Sequence, residues 1–155
     1  MEILFRNAQR KFKIDRQSLL RLIENALGDL APPNREISII LVNDDKIRKL
    51  NKEYRAKDKA TDVLAFPQDE EALGDKGGRL LGDVVVSVET ARRQAREHYL
   101  SDEEELILLV VHGALHLLGY DHDRSIKDKK KMQEATKKIF SRIFPGRQPS
   151  GSSEF

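Results

Sequence analysis

Residues 101–119 read SDEEELILLVVHGALHLLG, and no other stretch constrains the fold so tightly. Ser101 followed three residues later by Glu104 has the spacing of a capping box, so a helix starts here. Beyond the acids almost every residue is apolar, on all sides of the helix. Such a helix cannot lie on a surface and must be surrounded by other elements. It falls short of the roughly 20 apolar residues that cross a bilayer. Gly119 can end it in the left-handed conformation that glycine tolerates.

The rest of the chain supplies the surroundings. EILFR (2–6) has the pattern of a short strand. From Asp15, the helical spacing of Leu19, Leu20, Ile23, Leu27 and Leu30 predicts a helix that Pro32-Pro33 stops. EISIILVN (36–43) is apolar on both faces, which predicts a central strand. Asp44 can cap a helix in which Ile47, Leu50 and Tyr54 face inward. TDVLAFP (61–67) and RLLGDVVVSVE (79–89) read as strands, and residues 68–79 between them, with four acids and three glycines, as an exposed loop. TARRQAREHYL predicts a polar surface helix. Ser125 with Asp128 starts a last helix, striped by Met132, Ala135, Ile139 and Ile143 and dense in lysine elsewhere. The expected fold class is α+β: a small mixed four-stranded sheet covered by helices.

A chain of 155 residues, 39% hydrophobic and 35% charged, fits one domain with a real core. We place that domain at 1–145 and read GRQPSGSSEF (146–155) as a disordered tail, part of it an expression remnant. No run is long and apolar enough for a membrane span, and MEILFRNAQRKFK is unlike a signal peptide, so a cytoplasmic address is expected. The net charge of +2 excludes a bulk-charge argument for nucleic acid; such a partner must be argued from local clusters. The chain has no cysteine, which removes disulfides and thiolate metal sites. Histidine and carboxylate remain as strong ligands.

Three of the four histidines fall within HGALHLLGYDH (112–122). His112 and His116 are four apart and share one helix face. Gly119 lets the chain reverse, so that His122 can return to the same point. The spacing H-x3-H-x2-G-x2-H is that of the metzincin peptidases, but Gly113 stands where they carry the glutamate base. Three imidazoles leave one tetrahedral position open, the layout of a catalytic zinc site. Nickel, copper or manganese could also occupy an all-histidine site. Asp121 and Asp123 either orient an imidazole or are plain turn residues. His98, on the polar helix, is expected to be a solvated surface residue.

HGALHLLGYDH resembles the signature of the YbeY family, metal-dependent endoribonucleases of ribosome maturation. LNKEYRAKDKATDVLAFP (50–67) and LGDVVVSVETARRQA (81–95) resemble two further blocks of that family, in the same order. Ala60 and Ala65 depart from it, standing where proline and serine are expected. The resemblance implies a zincin-like hydrolase domain with zinc held by His112, His116 and His122. It implies that Arg55 is important for RNA cleavage. It also implies single-stranded RNA as substrate, the 3′ end of 16S ribosomal RNA and the small ribosomal subunit as cellular targets, and a role in ribosome quality control.

Arg48, Lys52, Arg55 and Lys59 lie at i, i+4, i+7 and i+11, one basic stripe of the second helix and its exit. Beside a metal such a stripe suits a phosphodiester, and otherwise it is a solvated face. With the resemblance, Arg55 leads as the phosphate ligand, its planar fork suiting bidentate contacts. KDKKK (127–131), with Lys137, Lys138 and Arg142, reads as a solvated helix back, and Arg6, Arg10, Lys11, Lys13 and Arg16 read similarly. Few aromatics interleave these charges, so no stacking platform for bases is evident. Two other readings stay open: a zinc peptidase-like hydrolase, and a non-catalytic ribosome assembly factor with a structural zinc.

Overall fold

The α+β architecture expected from the pattern is present. A computed structural model describes residues 1–30, 33–68, 79–120 and 125–150. The described elements are β1 (Glu2–Asn7), α1 (Arg16–Leu27), β2 (Glu36–Val42), α2 (Asp44–Arg55), β3 (Val63–Pro67), β4 (Leu80–Ser87), α3 (Val88–Glu97), α4 (Asp102–Leu117) and α5 (Ile126–Ile143). The sheet is four-stranded and mixed, in the order β1-β2-β4-β3. β1, β2 and β4 run parallel, and β3 pairs antiparallel with β4, Ala65 opposite Val84.

The period of two along the strands sorts the side chains between two layers. Ile37, Ile39 and Leu41 of β2, with Val84 and Val86 of β4, pack into the main core with α1, α3, α4 and α5. Val42, Leu64 and Val85 face the other way and cover Ile47 of α2. Both faces of the central strands are therefore buried, as their continuous apolar runs require. α4 runs through the main core: Ile107, Leu108, Leu109 and Val111 are fully buried.

Local signals account for most element ends. Ser101 accepts from the Glu104 amide while the Glu104 carboxylate accepts from the Ser101 amide, the capping box expected for α4. Asp15 caps α1 and Ser125 caps α5, as their positions imply. The far end of α4 is a Schellman closure: Tyr120 N–H bonds Leu115 O, Gly119 N–H bonds His116 O, and Gly119 has φ +99°. A side chain at Gly119 would be strained by that backbone angle, not by crowding.

Four expectations are corrected. Asn43, not Asp44, caps α2; it accepts from Lys46 N–H, and Asp44 instead accepts from Ser87 and Thr90 hydroxyls and from Arg93. Tyr54 is 62% exposed, because Asn51 takes the inward position and donates to Lys59 O, holding the chain that follows α2. α1 ends at Leu27, ahead of the proline pair, with Gly28 N–H on Glu24 O. Residues 147–150 are held to the body: Arg147 donates to both carboxylate oxygens of Glu104 and to Tyr99 O, and Ser150 N–H bonds His98 O. The acidic stretch 69–78 lies outside the described residues.

Candidate metal and phosphate site

α4 delivers His112 and His116 to the end of the core beside β3, one helical turn apart. Their Nε2 atoms stand 3.2 Å apart, with the rings nearly perpendicular at 79° and centroids 4.7 Å apart. Two nitrogens bound to one tetrahedral zinc at 2.0–2.1 Å are separated by about 3.3–3.4 Å. That spacing would let both nitrogens bind one such ion. The donor set fits a borderline metal such as zinc. His122, Asp121 and Asp123 lie outside the described residues.

Gly113 has a second meaning that its position in the motif does not reveal. A Cβ there would stand 2.6 Å from Val84 Cγ1, 3.1 Å from Val84 Cγ2 and 3.3 Å from Val63 Cγ2. The helix lies directly on β3 and β4 at this point, and any side chain would force Val84 or the helix to shift. The peptidase glutamate is therefore disfavoured by packing as well as absent by identity.

Both histidines line a cleft of about 790 Å³. The end of α2 and the segment after it, with Asn51, Arg55, Lys57 and Lys59, line the same cleft, as does the edge strand β3. Ala56, at φ +57°, turns the chain sharply after Arg55 and brings the two lysines round to this cleft. Arg55 Nη2 donates to Ala65 O at 2.9 Å, on the outer edge of β3, and its guanidinium lies 6.0 Å from the Phe66 ring centroid. Among the described residues no carboxylate pairs with Arg55, so most of its donors are left for a ligand. Arg48 behaves differently: it is tied to Asp58 at 2.8 and 3.3 Å, both exposed, and does not line the cleft. Of the four-residue stripe, Arg55 and Lys59 reach the cleft, and Lys57 joins them.

His98 is not solvated. It is 6% exposed and lines the cleft, its Nδ1 lying 2.8 and 3.0 Å from the carboxylate oxygens of the fully buried Glu105. Burial pushes the Glu105 carboxyl above its ordinary value, against the opposing pull of its hydrogen bond to His98. The signal in the sequence was Glu105 itself, a carboxylate at the head of an apolar helix that needs a partner to be buried.

The description Endoribonuclease YbeY belongs to the family whose model matches residues 4–144. A protein of that name from Aquifex aeolicus is 46% identical over 134 residues, covering 86% of this chain and 87% of its own. Another from Sulfurihydrogenibium sp. is 48% identical over 131 residues, covering 84% and 85%. The solution structure of TM1509 from Thermotoga maritima matches with a TM-score of 0.63 and 30% identity, over 94% of this chain and 99% of that one. No described helix is long and apolar enough to cross a membrane. The chain belongs to the YbeY endoribonuclease family.

Proposed function

We propose that this protein is a zinc-dependent endoribonuclease that cuts single-stranded RNA. Zinc is held by His112, His116 and His122, and Arg55 holds the phosphate to be cut. The observation that carries the reading is that two Nε2 atoms 3.2 Å apart and the side chains of Arg55, Lys57 and Lys59 line one cleft. When bound, the metal supplies Lewis-acid polarisation and acidifies a water molecule. The protein's own residues do the positioning. Ala65 O fixes the Arg55 guanidinium at the rim, so its remaining N–H donors meet phosphate oxygens without reorganising. Lys57 and Lys59 add charge that draws the RNA backbone into the cleft.

The packing at Gly113 disfavours the peptidase alternative, since a side chain that would activate water there must push Val84 aside. The cellular substrate in this reading is ribosomal RNA of the small subunit, at the 3′ end of 16S, with a role in ribosome quality control in the cytoplasm; the family likeness supports it. The test is cleavage of a single-stranded RNA and its duplex by zinc-loaded wild type beside His116→Ala. Wild type alone should cut, and cut the single strand. Equal cutting by both preparations would reveal a contaminating nuclease and overturn the reading.

A further inference from the structure

Tyr54 closes the inner sequence of α2 but turns outward, with 62% of its surface exposed. A lone exposed tyrosine is ordinary, but this one is not loose. Its ring stands edge-on to Phe66, centroids 5.3 Å apart and planes at 62°. Phe66 is half-buried on β3 and packs against the cluster of Val42, Ile47, Leu64 and Val85, so the ring behind Tyr54 is fixed by the core. The next residue in the chain, Arg55, sets its guanidinium 6.0 Å from the same Phe66 centroid. One anchored ring therefore lies beside both the exposed Tyr54 and the Arg55 guanidinium that Ala65 O fixes at the cleft rim. β3 is the sheet's edge strand, and Arg55, Ala65 and Pro67, the chain neighbours of Tyr54 and Phe66, line the cleft.

We propose that Tyr54, backed by Phe66, is a stacking platform for the unpaired base next to the phosphate held by Arg55. This inference rests on the single-stranded RNA reading and adds a reason for it. Bases in a duplex are stacked on one another and offer no free face, whereas a splayed base can lie on an aromatic ring. Stacking of this kind is indifferent to base identity, because every base has a π-face. Tyr54 selects strandedness, and Arg55 registers the phosphate.

Binding of a fluorescein-labelled single-stranded oligoribonucleotide to the zinc-loaded protein, measured by anisotropy with the oligomer checked intact on a denaturing gel, tests the platform. Tyr54→Ala should bind about 10-fold more weakly, and Tyr54→Phe should bind like wild type. An oligomer without bases should bind wild type and Tyr54→Ala equally, an equality that a merely structural role for Tyr54 would not produce. The chain has no tryptophan, so the emission of Tyr54→Trp reports this position alone and should be quenched by RNA. Undiminished binding by Tyr54→Ala, or unchanged tryptophan emission, overturns the platform while leaving the RNA reading intact. Failure of wild type to bind the oligoribonucleotide overturns both.

Discussion

The Nε2 atoms of His112 and His116 stand 3.2 Å apart, within about 0.2 Å of the edge of a zinc tetrahedron. The separation arises because residues four apart on α4 point the same way and both rings turn the same nitrogen inward. Removing one ligand should therefore cost affinity without unfolding a helix whose other side chains make the core. His116→Ala is expected to weaken zinc binding by at least about 100-fold, read by competition with a chromophoric chelator. Unchanged affinity would move the metal elsewhere.

Gly113 is held by contact with the sheet. Gly113→Ala gains helix propensity of about 1 kcal/mol but forces a methyl to 2.6 Å from Val84. Overpacking of this kind costs about 1–3 kcal/mol, so a net loss of up to about 2 kcal/mol is expected in urea denaturation. Val84→Ala in the same chain removes the collision. The double variant should lose less than the sum of the two single losses, and strict additivity would show that the contact is not the cause.

Acid stability should report on the pairing of Glu104. The Arg147 guanidinium holds its carboxyl below the usual glutamate range, helped by the Ser101 amide and opposed by burial. A depressed folded value means stability that is present above the ordinary value near about 4.3 and lost as pH falls through the lower folded one. Wild type should therefore lose stability more steeply below about pH 4 than Glu104→Gln, which is the weaker at neutral pH. Parallel stability curves from pH 7 to about pH 3 would mean that the pair does not form.

What the sequence disclosed was periodic or local. The capping box of α4, the closure at Gly119 and the shared face of His112 and His116 all depend on spacings of three or four residues. Arg147 and Glu104 are 43 residues apart, and no local pattern joins them. His98 looked solvated because α3 is polar; its partner lies on the next helix, seven residues on. Tyr54 looked inward because an apolar residue seven after Ile47 fits a helical stripe. Asn51 took that face instead, since the backbone at Lys59 needed a donor. Arg48 and Arg55 are equivalent in a basic stripe, and only the fold shows Asp58 occupying one and Ala65 O fixing the other.

The zinc content and RNA cleavage rate of Arg55→Ala, measured on one preparation beside wild type, test the division of labour in the cleft most directly. Both proteins should hold one zinc ion, because Arg55 touches Ala65 and Phe66 and not the histidines. Cleavage should fall by about 100- to 1000-fold, the cost of removing one preorganised donor from developing charge. Cleavage at the wild-type rate, or zinc lost together with activity, would contradict the assignment of Arg55 to the phosphate.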